Sequence, residues 1–356
     1  MQYYRWIKGL FLIVFIVSSF NYLEAKPFVD TLQLTPDEIN NIEVFKQTNR
    51  SVVWVTNSQI QQNVFTLDVQ EISRGMGTGF VWDHSGLIVT NYHVIENADK
   101  VTVVLWNNST WNAKIVGTAP GKDLAVLKIE APGETIFPVT VGDSSQLQVG
   151  RKVLAIGNPF GFDTSLTVGV VSALGREIKS FGGRTIKGVI QTDASINRGN
   201  SGGPLLNSSG ELIGVNAMIF SPTGTSLGIG FAIPVNTVKK IIPQLIQHGH
   251  VVRPIIGFQM ADDSIAQRYG ISGVIIFRII EGYPAEKAGM IGLQRDRQGR
   301  TRIGDIIVKV DNKPVKNNDD LLTALEQHEV GDVVQIETLR GNQKKQFKVT
   351  LTKSTE

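Results

Sequence analysis

Cysteine is absent from the 356-residue chain. Disulfides, thiolate nucleophiles and cysteine-ligated zinc or iron–sulfur centres are therefore excluded. Histidine is scarce. His84, His93, His248, His250 and His328 are scattered with no HExxH spacing, which argues against a metal cluster. An excess of one charge is also missing. The 35 Lys and Arg residues nearly balance 32 Asp and Glu, leaving a formal charge of +3, so charge alone gives no sign of a nucleic-acid-binding surface. The apolar run Leu10 to Val17 is shorter than the ~20 residues that span a bilayer, and no later segment reads as transmembrane.

What is present bounds the answer further. Hydrophobic residues make up 42% of the chain, enough for a substantial core and more than one domain. Glycine is abundant at 36 residues, which implies many tight turns and few long helices. Residues 1–25 read as an export signal: Arg5 and Lys8 precede the apolar run, Ser18 and Ser19 follow it, and Ala25 offers a small residue for cleavage. Leu23 is bulky for its place two positions upstream, so an uncleaved anchor or a buried first helix remain open. The reading places the rest of the chain in the periplasm or an equivalent extracytoplasmic compartment.

Residues 26–50 are polar, with one helix expected at Pro36 to Thr48. Short β-branched runs follow from Ser51 to Ala232, separated by Gly, Pro, Asn and Asp, without alternating long helices. That pattern predicts a mainly β, sandwich- or barrel-like unit. A helix is expected at Val235 to His248, with Asn236 as its cap and Gly249 as its end. Beyond 250 the pattern changes to mixed strands and helices, including a helix at Asn317 to His328, so the domain boundary is placed there. The charged stretch Leu293 to Arg302 is expected to be a solvated loop.

Three segments carry chemistry-bearing residues. TNYHVI places His93 at the start of a short helix after a β-run. GKDLAVL brings Asp123 into an alternating strand, and GNSGGPL sets Ser201 in a glycine-dense turn. Each has an ordinary structural explanation by itself: a hydrogen-bonded histidine, a turn aspartate, a tight hairpin. Together, in the order His, Asp, Ser, they fit serine-nucleophile acyl transfer. The hydroxyl needs an imidazole to take its proton, and the imidazole needs a carboxylate to orient it. Glycines around Ser201 would let backbone N–H groups converge on an oxyanion. The cluster Gly75-Met76-Gly77-Thr78-Gly79 is not a nucleotide fingerprint, because its spacing is wrong and no βαβ unit surrounds it.

TNYHVI, KDLAVLKI, AIGNPFG, QTDASINRGNSGGPLLN and GIGFAIPV closely resemble the HtrA/Deg family of serine endoproteases, from about Val64 to the C-terminus. The resemblance implies a trypsin-like double β-barrel protease domain at 51–249 and one PDZ domain at 250–353. It implies His93 as general base, Asp123 as orienting group, Ser201 as nucleophile, and the amides of Gly199 and Ser201 as oxyanion hole. Asn216, Ala217, Met218 and the loop Pro222 to Leu227 would border the substrate cleft. They offer no carboxylate for a basic side chain, so a small or medium aliphatic residue is expected before the cleaved bond. Ile256, Gly257 and Phe258 match the turn that captures a peptide C-terminus. Arg176 to Lys187 matches the family's regulatory sensor loop, and a solvated basic loop is equally consistent with its composition. No metal or organic cofactor is implied.

The implied activity is ATP-independent endoproteolysis of unfolded or damaged exported proteins, by a homotrimer or a multiple of trimers, with an N-terminal membrane tether as an option. Phe45 and Phe65 are candidates for the subunit contact. Alternative readings are a holdase-type chaperone with secondary protease activity, or a regulated site-specific protease. One departure stands out. Arg198 occupies a position where the family usually has proline, and the loss of that restraint predicts a more mobile nucleophile loop.

Overall fold

Short strands with one apolar face cannot bury it singly, and here they close on themselves. The computed structural model of the protein describes residues 34–62, 69–159, 161, 164–180, 183–197, 199–219 and 228–354. The readings made for residues 1–25, Phe65, Arg198 and the loop Pro222 to Leu227 lie outside them.

The chain enters through helix α1 (Pro36–Thr48), as expected from its pattern. Thr35 Oγ1 accepts from Glu38 N–H, and the Glu38 carboxylate accepts from Thr35 N–H at 2.7 Å, so two otherwise orphaned donors are satisfied reciprocally. Lys152 pairs with Asp37 at 2.6 Å, and Asn40 Nδ2 donates to Ser208 O at 2.8 Å, pinning α1 to the later barrel.

The first barrel holds β1 (Val52–Gln62), β2 (Val69–Val81), β3 (Leu87–Thr90), β4 (Lys100–Val104), β5 (Thr110–Ala119) and β6 (Leu124–Lys128), with helix α2 (Tyr92–Ile95) after β3. Its closed order is β1-β2-β3-β6-β5-β4. Val53, Val55, Ile88, Val103 and Leu127 fill it. β1 and β2 are longer than their β-branched runs. Their backbones stay paired out to Gln62 opposite Val69, where the polar sequence carries no alternation to read.

The second barrel holds β7 (Lys152–Gly157), β8 (Ser165–Lys179), β9 (Thr185–Thr192), β10 (Pro204–Asn207), β11 (Leu212–Ile219) and β12 (Gly230–Pro234), closed in the order β10-β11-β12-β9-β8-β7. Here the expected loop at Arg176 to Lys187 is a correction: most of it is the far end of the β8–β9 hairpin. Ile178 pairs with Ile186, whose side chain is buried, and that burial extends both strands.

Helix α3 (Val235–His248) has the expected bounds and ends at Gly249. Asn236 does not cap it. The helix starts one residue earlier, and Asn236 Nδ2 instead donates to Asp143 Oδ1 at 2.7 Å. The buried stripe Val238, Ile241, Ile242 and Leu245 joins a core drawn from both barrels.

The last part has its own core, including Ile256, Val274, Ile307, Leu321 and Ile336. In order it comprises β13 (Pro254–Ile255), β14 (Phe258–Met260), α4 (Asp263–Arg268), β15 (Val274–Ile279), α5 (Pro284–Lys287), β16 (Gln294–Arg295) and β17 (Thr301–Arg302). β18 (Asp305–Val310), β19 (Lys313–Pro314), α6 (Asn318–Leu325), β20 (Val333–Arg340), β21 (Gln343–Thr350) and β22 (Thr352–Lys353) complete it. The sheet path runs β14-β15-β18-β20-β21. The stretch Leu293 to Arg302 is not simply a loop: Gln294 and Arg295 pair with Arg302 and Thr301, closed by Asp296, which accepts from Arg300 N–H at 3.0 Å.

Acidic residues of α6 and its end meet basic residues of the barrels. Asp319 binds Arg184 Nε at 2.8 Å and Lys179 at 3.0 Å. Glu326 binds Lys122 at 2.9 Å, Arg184 at 3.0 Å and Arg253 at 3.5 Å. Two carboxylates thus tie α6 to the tip of the β8–β9 hairpin and to the turn before Asp123.

Candidate active site

His93 lies in α2, directly after β3. Its backbone N–H donates to Asp123 Oδ1 at 3.0 Å, and its ring Nδ1 stands 2.8 Å from Oδ2 and 3.0 Å from Oδ1. Asp123 is 2% exposed. It follows a one-turn helix at Pro120–Lys122 and takes φ +54°, a left-handed conformation that aspartate tolerates better than most residues. Buried Asn91 holds it there, its Nδ2 donating to Asp123 O at 2.8 Å. A carboxylate at Nδ1 favours the tautomer protonated on that nitrogen, in which Nε2 carries no proton and can act as a base.

Ser201 sits in the turn that enters β10. Asn200 braces that turn with its side chain: Oδ1 accepts from Asn197 N–H at 3.0 Å, and Nδ2 donates to Ser195 O at 3.0 Å. Through these bonds Asn200 fixes the backbone on the N-terminal side of Ser201. Gly202 has φ +84°, and a Cβ there would overlap the Thr78 carbonyl, so only glycine fits. Gly199 lies on the same turn, and its carbonyl accepts from Thr78 Oγ1.

The two halves meet at the seam between barrels. Thr78 on β2 donates its N–H to Ser201 O at 2.9 Å. Gly77 marks how close the elements come. A Cβ on it would stand 2.6 Å from Val94, the residue after His93, and 3.0 Å from Ser201 O.

The expected cleft residues are placed less openly. Asn216 is buried, its N–H donating to Gly203 O at 2.9 Å and its Nδ2 to Pro204 O at 3.2 Å. Ala217 is buried in the core shared by the barrels. Met218 pairs through its backbone with Phe231. Asn216 therefore supports the Ser201 turn from behind.

Ile256 is buried in the core of the last part, and its carbonyl accepts from Ala285 N–H at 2.9 Å. Gly257 has φ +90°, and a Cβ there would overlap the Tyr283 side chain, so the turn requires glycine. Phe258 opens β14, which pairs with β15 on one edge; among the described residues no strand pairs its other edge. α6 begins beside that strand, Asn318 Nδ2 donating to Ala261 O at 2.8 Å.

Sequence reasoning missed Thr78, Thr90, Asn91 and Asn158. Thr78 was in view inside the glycine cluster, but a buried threonine becomes a site residue only when its partners are known. No group of His, Asp or Glu that could hold a metal ion occurs among the described residues.

Residues 77–215 match the trypsin-like peptidase domain family, and residues 254–351 match the PDZ domain family. The chain is 48% identical to Protease Do-like 1, chloroplastic, of Arabidopsis thaliana, over 97% of its own length and 81% of the relative's. The chain belongs to the HtrA/Deg family of serine endoproteases. This HtrA/Deg protein is also 36% identical to a probable periplasmic serine endoprotease DegP-like of Rickettsia conorii, spanning 92% of its own chain but 63% of that relative. Among solved structures it resembles the HtrA-type protease AlgW with decapeptide, at 29% identity and a TM-score of 0.66, covering 89% of this chain and 99% of that one. The two closed barrels are the trypsin-like protease fold, and the sheet that follows is of PDZ type. The protein is a serine endopeptidase with a peptide-binding PDZ domain.

Proposed function

We propose that residues 51–249 form the protease domain and 250–353 the PDZ domain, with His93 as general base, Asp123 as orienting carboxylate and Ser201 as nucleophile. The observation that carries this is the 2.8 Å contact between His93 Nδ1 and Asp123, at the seam that also holds the Ser201 turn. His93 Nε2 takes the Ser201 proton as Oγ attacks the peptide carbonyl. The amides of Gly199 and Ser201 receive the oxyanion, and the imidazolium protonates the departing amine. Water then repeats the sequence on the acyl-enzyme.

Ile256, Gly257 and Phe258 take the carboxylate end of a peptide that lies as an added strand on β14. The unpaired edge of β14 supports this, as does the solved relative with a decapeptide. The substrates are unfolded exported polypeptides, cut after small or medium aliphatic residues. The working form is a homotrimer or a multiple of trimers, outside the cytoplasm, with residues 9–20 as a signal or tether. The relative named periplasmic supports the location.

The test is degradation of unfolded casein by wild type and S201A, with product mapping. Wild type is expected to cleave after aliphatic residues, and S201A to lose about 10⁵-fold or more. Retained turnover in S201A would overturn the nucleophile, and cleavage confined to Lys and Arg would overturn the specificity.

A further inference from the structure

Ser201 and Gly199 belong to the second barrel, yet a residue of the first holds both their carbonyls. Thr78 is 0% exposed. Its N–H donates to Ser201 O at 2.9 Å, and its Oγ1 donates to Gly199 O. The same Oγ1 accepts from Asn158 N–H at 2.9 Å, and the Thr78 carbonyl accepts from Thr90 Oγ1 at 2.7 Å. A hydroxyl carries one proton. Asn158 approaches as a donor, so that proton is directed at Gly199.

The direction of an amide N–H is set by the plane of its own peptide group and by the planes on either side. The Ser201 N–H lies in the 200–201 peptide, whose carbonyl accepts from Gly203 N–H at 3.1 Å. The flanking peptides, 199–200 and 201–202, carry the two carbonyls bound to Thr78. Gly199 and Gly202 both sit at positive φ, +109° and +84°, and glycine has no Cβ to restrict its own rotation. Asn200 braces the turn locally and Asn216 O accepts from Gly202 N–H at 2.8 Å, and Thr78 adds restraint from across the seam.

We propose that Thr78 is a positioning residue for acyl transfer: it holds the 199–202 backbone so that the Ser201 amide points at the developing oxyanion. This rests on the reading of Ser201 as nucleophile. An oxyanion forms only as the carbonyl is attacked, so loss of the Thr78 hydroxyl acts on the transition state and spares substrate binding.

The test uses the full chain as wild type, T78V, T78S and S201A, on a peptide containing a mapped casein cleavage site. Measured are kcat, KM, their pH profile, the melting temperature, and the affinity of a peptide aldehyde, whose hemiacetal carries an oxyanion. T78V is expected to lower kcat about 10–100-fold with KM within about threefold. Aldehyde affinity falls in parallel, and the acid limb of the pH profile does not move. T78S, which keeps the hydroxyl, is expected within about threefold of wild type. An unchanged kcat in folded T78V, a loss confined to KM, or T78S as impaired as T78V would overturn the proposal. Where T78V does not fold, T78A replaces it under the same criteria. If S201A stays active the nucleophile reading fails; if S201A is inactive and T78V is not impaired, only the role of Thr78 fails.

Discussion

Asp123 combines three constraints in one residue. Its left-handed backbone, the Asn91 bond to its carbonyl and its contact with His93 all serve one carboxylate orientation. Asp123→Asn keeps the shape but presents an NH₂ or a neutral oxygen to Nδ1, so the tautomer with an unprotonated Nε2 is no longer favoured. D123N is expected to lower kcat about 10⁴-fold with little change in melting temperature, checked by steady-state kinetics and calorimetry. His93, Asp123 and Ser201 stood out in the sequence as candidates because each lies in a short distinctive string. Thr78 and Asn91 were not, because their roles consist of bonds to residues 121–123 and 32 positions away.

Among the elements, the bounds of α1 and α3 were read most closely, because helix start and stop signals are local, although the cap assigned to Asn236 was not found. The Thr35–Glu38 box starts α1, and Gly249 ends α3. Strand ends were read less well, since ladder pairing extends β1, β2, β8 and β9 past their apolar runs. In the PDZ sheet one buried carboxylate joins three pieces. Asp305, 0% exposed, accepts from Arg340 at 2.7 Å, Thr338 at 2.9 Å and Ile291 N–H at 2.7 Å. D305A leaves all three donors without it. The expected cost is about 3 kcal/mol, toward the low end for a broken buried pair because Arg340 is partly exposed and can rehydrate. The PDZ unfolding midpoint is then expected to fall by roughly 10–20 °C in calorimetry. A shift of a few degrees would mean that the Arg340 bond contributes little.

At the scale of the whole molecule, the junction between α6 and the barrels is electrostatic. Burial pushes the Asp319 carboxyl upward, but bonds from Thr185, Lys179 and Arg184 outweigh it and hold the group well below the usual carboxylate range. Burial likewise opposes ionisation of Glu326, and attraction to Lys122, Arg184 and Arg253 overcomes it. A carboxyl lowered in the docked state stabilises docking fully above its undocked value near ~4, and that stability is lost as pH falls through the docked value. Docking is therefore expected to be unchanged between pH 7 and 5 and to weaken only below about 4, measured by hydrogen exchange at the 179–185 hairpin tip. E326Q, which leaves three cations facing a neutral amide, is expected to raise that exchange about 5–10-fold at pH 7. Equal exchange in E326Q and wild type would show that the ion pairs do not hold the domains together.

The sequence by itself determined the mainly β character and the extents of α1 and α3, and it put forward a boundary near residue 250 and the His, Asp and Ser candidates. All of these rest on residue type and short-range spacing. Only the tertiary structure decided that Thr78 of one barrel bonds the Ser201 turn of the other. It likewise decided that Asn216 and Ala217 are buried, and that α6 is tied to the turn beside Asp123. Those outcomes depend on which distant surfaces meet, and backbone bonding across a seam leaves no periodic trace in the chain. The missing cysteine excluded covalent cross-links. Beside the apolar core that both barrels share, the bonds of buried Thr78 to Ser201, Gly199 and Asn158 cross the seam next to the candidate site.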